Sequence, residues 1–315
     1  MAVKTPFSQL DFVTILSHYE LGTYIRSEPV TQGAVQTNYF VYTTQGKFVF
    51  RYYENRSRKS VLFESHLLTY LKKHDYPCPA PFRNRQGSCV GVYHNKPYVF
   101  FEFIEGRHID HPDDHHKQQL IQKAAELQNL TRMYRPRYKR YRWNYNVELC
   151  RKLAHTEAAK INTKDAQAKF AWLDNQLSTL QLPLSLPKGI CHCDFHFSNV
   201  LFRENQFAAL LDFDDANYTF LLFDLVGLIE AWAWPHPSET LDVTQARAIV
   251  QAYMKHRPLN AIERRHLYDV YKLSVLFDCV WFFGRGRAKD FYEKRKVDFL
   301  SDLGRKKFID KLFVE

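Results

Sequence analysis

His192-Cys193-Asp194-Phe195-His196-Phe197-Ser198-Asn199, followed by Leu211-Asp212-Phe213-Asp214, is the stretch whose reading decides this chain. A His-x-Asp with an Asn five positions beyond the Asp, and a second Asp closing an apolar strand, is a set that phosphoryl transfer to a hydroxyl uses. Asp194 can accept the hydroxyl proton, and Asn199 and Asp212 can hold the Mg2+ that bridges nucleotide phosphates. Between them, Val200-Leu201-Phe202 and Phe207-Ala208-Ala209-Leu210-Leu211 read as two short strands. The polar Arg203-Glu204-Asn205-Gln206 suits a hairpin loop that returns the chain beside its start. A zinc reading of Cys191, His192, Cys193 and His196 fits less well, because the cysteines flank a single residue and no second ligand pair follows. His192 is read as a brace for the loop, and the cysteines as small buried side chains.

Working outward, the first hundred residues are rich in strands. Residues 37–42, 47–53, 88–92 and 98–103 carry aromatic and β-branched side chains between turn signals. One helix interrupts them, with Val61, Leu62, Leu67, Leu68 and Leu71 at helical spacing, ended by Pro77 and Pro79. The segment Thr31 to Asn38, with Gly33, Thr37 and Asn38, could lie over phosphates with backbone N–H groups as donors; an ordinary hairpin turn is equally compatible. Arg51 ends an apolar strand, where its cation could meet phosphates, and Glu64 on the next helix could pair with it. The alternative is a surface ion pair of little worth. Phe100 to Gly106, including Glu102 and Ile104, reads as a hinge whose backbone could meet an adenine edge. From about His111 the pattern turns helical, over 118–130 and again across 147–180.

Composition bounds the rest. The chain has 315 residues, 45% hydrophobic and 16% aromatic, enough for two lobes. Its cysteines are scattered without a dense framework, which fits reduced thiols and a cytoplasmic location. Charged residues interrupt the N-terminus, so no signal peptide is expected, and the apolar run 219–234 is too short to span a bilayer. The net charge of +10 draws attention to Tyr134-Arg135-Pro136-Arg137-Tyr138-Lys139-Arg140-Tyr141-Arg142-Trp143. That stretch could bind nucleic acid, but a solvated connection with arginine stems over aromatic rings is the favoured reading. Nucleic acid is therefore not an expected partner; nucleotide and a small alcohol are. The oligomeric state is not legible.

With these motifs in place, the chain resembles the aminoglycoside-phosphotransferase-like kinases, and among them the type II homoserine kinases, from roughly Glu28 to Trp281. The resemblance rests on Thr37-Asn38-Tyr39-Phe40-Val41, on Leu186 to Asp194, on Leu211-Asp212-Phe213-Asp214-Asp215-Ala216 and on Phe223-Asp224-Leu225-Val226. Arg257-Pro258-Leu259 followed by Glu263 adds to it. It implies an α+β, two-lobed protein-kinase-like fold: an antiparallel-sheet N-lobe with one helix over 1–104 and a larger, mainly helical C-lobe over 105–315. It implies ATP and Mg2+ as cofactors, Asp194 as base, Asn199 and Asp212 as metal ligands, and Asp224 as a brace of the loop. L-homoserine is the acceptor it favours; choline, an aminoglycoside, another small alcohol, or a nucleotide-binding role without catalysis are the alternatives. Arg51 in place of lysine, Cys193 in the loop and Asp214 in place of glycine depart from related patterns and speak against protein substrates. Asp214, Asp215, Glu230 and Trp232, with Trp234 nearby, are the candidates to line an acceptor pocket.

Overall fold

The computed structural model describes residues 4–31, 35–235, 238 and 240–313. In chain order the elements are α1 (Gln9–Leu16), β1 (Tyr24–Pro29), β2 (Thr37–Thr43), β3 (Gly46–Tyr52), α2 (Arg58–Lys73), β4 (Gly91–Tyr93) and β5 (Lys96–Glu102). There follow α3 (Asp114–Leu130), α4 (Val147–Ile161), α5 (Lys164–Ser178), β6 (Lys188–Cys191), β7 (Val200–Arg203), β8 (Gln206–Leu210) and β9 (Asn217–Phe220). The chain ends in α6 (Leu222–Ala233), α7 (Val243–His256), α8 (Ala261–Trp281), α9 (Lys294–Leu303) and α10 (Arg305–Leu312). They form two compact units. The first comprises 1–112, 133–142 and 197–214; the second comprises 113–132, 143–196 and 215–315.

The first unit is built on an antiparallel sheet of order β1-β2-β3-β5-β4. Alternation along β3 sorts its side chains by face. Phe48, Phe50 and Tyr52 are buried with Val41, Tyr98 and Phe100 against Phe12, Ile15 and Leu16 of α1. Lys47, Val49 and Arg51 therefore point to the opposite face. The helix α2 begins at Ser57, whose side chain accepts from Ser60 N, and buries Val61, Glu64, Leu67, Leu68 and Leu71. The hairpin β7–β8 belongs to this unit. Its turn is only Glu204-Asn205, both with positive φ, as a tight two-residue turn needs. The chain leaving β5 pairs with it, through Arg107 N to Phe202 O and Phe202 N to Arg107 O, both 2.9 Å. Gly106 permits that approach, since a Cβ there would stand 2.9 Å from Cβ of Leu201.

The second unit is helical around the two-stranded pair β6–β9. The apolar α6 and α8 bury most of their length, α6 through Leu225, Val226, Leu228 and Ile229. A capping box of Asn260 and Glu263 starts α8, and Arg257 donates to Glu263 at 2.5 Å. Lys169, 3% exposed, donates to the carbonyls of Phe283 (2.9 Å) and Gly286 (2.6 Å), anchoring the loop after α8. Among the described residues no helix is long and apolar enough to cross a membrane.

Candidate active site

In the first unit the site is assembled around Arg51. Its Nε donates to Asn38 Oδ1 at 3.0 Å across the β2–β3 ladder, and its Nη1 donates to Asp212 Oδ1 at 2.8 Å. Glu64 of α2 lies 3.7 Å from the same Nη1, and Tyr53 donates to its other oxygen at 3.0 Å. This is not a surface pair: the side chains of Arg51 and Glu64 are 15% and 1% exposed. Burial raises the Glu64 pKa to about 7, against the pull of Arg51. Burial opposes the charge on Arg51, yet Asp212, with Tyr53 and Glu64 behind it, holds that cation firmly protonated.

Asn199 and Asp212 meet because the hairpin closes on itself. Val200 pairs with Leu210, and Leu211 N donates to Asn199 O at 2.7 Å, so the two candidate ligands sit one residue apart across the ladder. Asp212 adopts the left-handed conformation, φ 58°, and its side chain is 44% exposed. An amide oxygen and an accessible carboxylate in adjacent positions are the hard oxygen donors that Mg2+ takes, with nucleotide phosphates and water completing its shell. The residues fit the ion.

Other candidates in this unit are placed in several ways. Thr37 opens β2, where its hydroxyl donates to Glu54 at 2.7 Å and accepts from Thr5 N. Gly33 lies outside the described residues. Glu102 is bound by Lys72 Nζ at 2.8 Å and its N–H donates to Ala80 O. Glu102 and Ile104 line a cavity of about 750 Å³ together with Lys47, Phe103 and the tip of the β7–β8 hairpin, a volume typical of small-molecule sites. Asp214, 6% exposed, is held by Arg56 Nε at 3.0 Å and Gln36 Nε2 at 2.8 Å. Its oxygens are thus engaged inside the first unit, which moves it from an acceptor pocket to a structural clasp. Arg56 and Gln36 gave no motif signal in the sequence.

The second unit carries Asp194. The loop after β6 is pinned from beneath by Asp224, 1% exposed in the first turn of α6. Its carboxylate accepts from His192 N at 3.1 Å and Cys193 N at 2.9 Å. Gln128 donates to Leu221 O at 2.8 Å and accepts from Tyr253 Oη at 2.6 Å, closing the layer below. Burial raises the pKa of Asp224, and the N–H of Cys193 and the charge of His192 oppose it. Cys193 is left-handed, φ 64°, a conformation costing a non-glycine residue roughly 1–2 kcal/mol, so the loop bends sharply just before Asp194. Burial pushes the thiols of Cys191 and Cys193 up, which makes them poor nucleophiles. The ring of His192, fully buried, packs edge-on against Phe195 at 5.5 Å.

Near Asp194 in this unit lies a cluster of mixed sign. Glu230 of α6 accepts from Tyr271 and from Lys296, and Lys296 also pairs with Glu293 at 2.9 Å. Asp278, partly exposed on α8, has its pKa raised to about 8 by burial and by Glu230, with smaller contributions from Glu293 and Asp194, against Lys296. Asp278 belongs to none of the motifs in the sequence. A single carboxylate inside Val275-Leu276-Phe277-Asp278-Cys279-Val280 was the available signal. Trp281, on the same helix shortly after Asp278, stacks on Trp143 at 5.0 Å, and the two are 41% and 40% exposed. Asp215 lies close enough to Cys193 to act on its thiol. Trp232 is partly exposed on α6, whereas Trp234 is core: it packs on Phe299 and its indole N–H donates to Ser238 O.

Comparison with known proteins adds family and fold. The phosphotransferase enzyme family (APH) matches residues 27–259. A homoserine kinase from Methylobacterium radiotolerans is 30% identical over 96% of this chain and 89% of its own. One from Burkholderia ambifaria is 28% identical over 95% and 91%. Among solved structures, an amicoumacin kinase in complex with AMP-PNP, Ca2+ and Ami has a TM-score of 0.65 at 16% identity, covering 96% of this chain and 93% of that one. A spectinomycin phosphotransferase in complex with ADP and spectinomycin has a TM-score of 0.58 at 11% identity, covering 98% of this chain and 99% of that one. The fold is the two-lobed α+β kinase-like fold.

Proposed function

Because the chain belongs to the phosphotransferase enzyme family, we propose that it transfers the γ-phosphoryl group of ATP to the side-chain oxygen of L-homoserine, giving O-phospho-L-homoserine and ADP. The observation that carries the reaction class is the Arg51–Asp212 pair with Glu64 behind it. It presents a fixed cation and, beside it, an accessible carboxylate that could take a metal, as a nucleoside triphosphate requires. The acceptor is supported by near full-length likeness to homoserine kinases.

In this reading Asp194 orients the acceptor hydroxyl and takes its proton as the oxygen attacks the γ-phosphorus. The bond from that phosphorus to the bridging oxygen of ADP breaks, and ADP leaves with the electron pair. Arg51 holds phosphate oxygens, with Asn38 fixing its plane and Glu64 its reach. Asp212 and Asn199 would hold a divalent cation, which we assign as Mg2+ and which, when bound, neutralises phosphate charge and fixes phosphate geometry. The backbone of Glu102 and Ile104 would approach the adenine edge, whereas Thr37 pairs with Tyr52 on the face away from Arg51 and its hydroxyl is taken by Glu54. Homoserine is a zwitterion, and the cluster of Glu230, Asp278, Glu293 and Lys296 offers partners of both signs near Asp194. Asp215 and Trp232 remain candidates for that pocket's wall. The free cysteines suit a cytoplasmic location.

The test is a kcat/KM comparison across L-homoserine, L-serine, choline and an aminoglycoside with ATP and Mg2+. L-Homoserine should rank first, and removing its ammonium or carboxylate should lower kcat/KM by leaving site groups unpartnered. A higher value for choline or an aminoglycoside would keep the reaction class and overturn the acceptor.

A further inference from the structure

The basic-aromatic stretch from Tyr134 to Trp143 has no part in the reaction as described, yet most of it folds with the first unit. It lies along α2 in antiparallel order. The ring of Tyr134 packs on Tyr70 at 4.5 Å, and that of Tyr138 on His66 at 5.8 Å. Lys59 Nζ donates to Tyr141 Oη at 3.0 Å. The Arg142 guanidinium stands 5.0 Å from the Phe63 ring. Residues 59, 63, 66 and 70 recur at helical spacing, so the stretch follows one stripe of α2. The strap bends at Tyr138, whose φ of 61° is left-handed.

Arg142, next to its end, differs from the others. Arg142 is 7% exposed and divides its donors between two places. Nη1 donates to Ser60 Oγ at 3.0 Å and Ser60 O at 3.3 Å, in the first turn of α2 and four residues before Glu64. Nη2 donates to Phe213 O at 3.2 Å and to Asp214 O, the two carbonyls immediately after Asp212. Arg56, just before α2, reinforces the same junction through the Asp214 carboxylate. A planar fork with several fixed donors can span two backbone sites in this way, and a lysine ammonium cannot reproduce it.

We propose that Arg142 is a positioning residue, clamping α2 to the segment after Asp212 so that Glu64, Arg51 and Asp212 keep the spacing that receives the metal–nucleotide complex. Tyr134 and Tyr138, seated on Tyr70 and His66, hold the clamp in register along the helix. The inference rests on the proposed role of Arg51 and Asp212 and leaves the identity of the alcohol aside.

The experiment is calorimetric titration of the full chain with MgATP, without acceptor, for wild type, Arg142→Lys, Arg142→Ala and Arg140→Ala, each with its melting temperature and a Mg2+ titration at fixed ATP. Arg142→Lys should remain folded, weaken MgATP binding by tenfold or more and raise the Mg2+ concentration for half-saturation. Arg140→Ala, which removes an exposed cation of the strap, should change neither. A melting-temperature loss in Arg142→Lys with unchanged MgATP and Mg2+ affinities would reduce Arg142 to a structural residue and overturn the proposal. Should Arg142→Ala fail to fold, Arg142→Lys carries the decision alone. If wild type binds no MgATP, the nucleotide reading itself fails. If it binds MgATP yet phosphorylates no homoserine, only the acceptor assignment fails and the clamp is still tested.

Discussion

Asp212 and Asp194 are both proposed to act on the same transferred group, but the molecule holds them by opposite means. Asp212 is held by charge: Arg51 grips its carboxylate at 2.8 Å, and Glu64 stands behind Arg51. Asp194 follows a loop held by backbone: two consecutive N–H groups, of His192 and Cys193, are fastened to buried Asp224. The difference follows from what each must meet. A polyphosphate arriving with metal needs cations and carboxylates that can exchange partners. A proton acceptor needs a fixed position more than a field, because a misplacement of about 1 Å can cost on the order of 10²-fold in rate.

The largest effect should come from the fixed side. Asp194→Asn is expected to lower kcat by roughly 10²–10⁴-fold, the range for lost general-base catalysis, while calorimetric MgATP affinity changes little. A folded variant turning over at near wild-type rate would take Asp194 out of the chemistry. Next comes the pin beneath it. Asp224→Ala leaves two buried N–H groups without their acceptor, each costing about 1–3 kcal/mol. Its melting temperature and kcat should fall together, with ATP KM far less affected. A kcat preserved alongside a lowered melting temperature would show that the loop keeps its shape without the pin.

The charged side predicts the converse split. Arg51→Ala should raise the KM for ATP by about tenfold or more, from the roughly 1.5–3 kcal/mol of a charged hydrogen bond, with the KM for homoserine nearly constant. Equal shifts in both would erase the distinction between the two regions. A different kind of effect, on stability against pH, concerns Asp278. Burial first, and then Glu230, raises its pKa from 3.8 to about 8. The folded state therefore keeps a proton that the unfolded chain releases. Its contribution to stability is complete below about pH 3.8 and is lost as pH rises through 8. Asp278→Asn should flatten the decline of melting temperature across that window; parallel curves for variant and wild type would contradict the assigned shift.

Much of this architecture is local and therefore legible in sequence. The hairpin of β7 and β8 follows from two apolar runs around polar residues, although its turn closes over Glu204-Asn205 rather than four residues. The strands expected over 37–42, 47–53 and 98–103 are β2, β3 and β5, displaced by no more than two residues at either end. The strand expected over 88–92 is only β4, Gly91–Tyr93, because Asn84 takes the Ser88 N–H into a turn. The helix α1 and strand β1 gave no clear period: α1 is one short amphipathic piece, and β1 an edge strand with mostly exposed side chains. Long-range partners were the least legible. Nothing near Asp214 announces Arg56 or Gln36, and nothing in 134–142 announces α2, since such contacts depend on the fold rather than on spacing.

Phosphoryl transfer to L-homoserine can be followed by phosphorus NMR of one reaction mixture containing the protein, ATP, Mg2+ and L-homoserine. A phosphomonoester resonance should grow in equal amount with ADP, and no such resonance should appear with Asp194→Asn. ADP formed with inorganic phosphate alone, or ATP left intact while the protein is folded and binds nucleotide, would contradict that transfer.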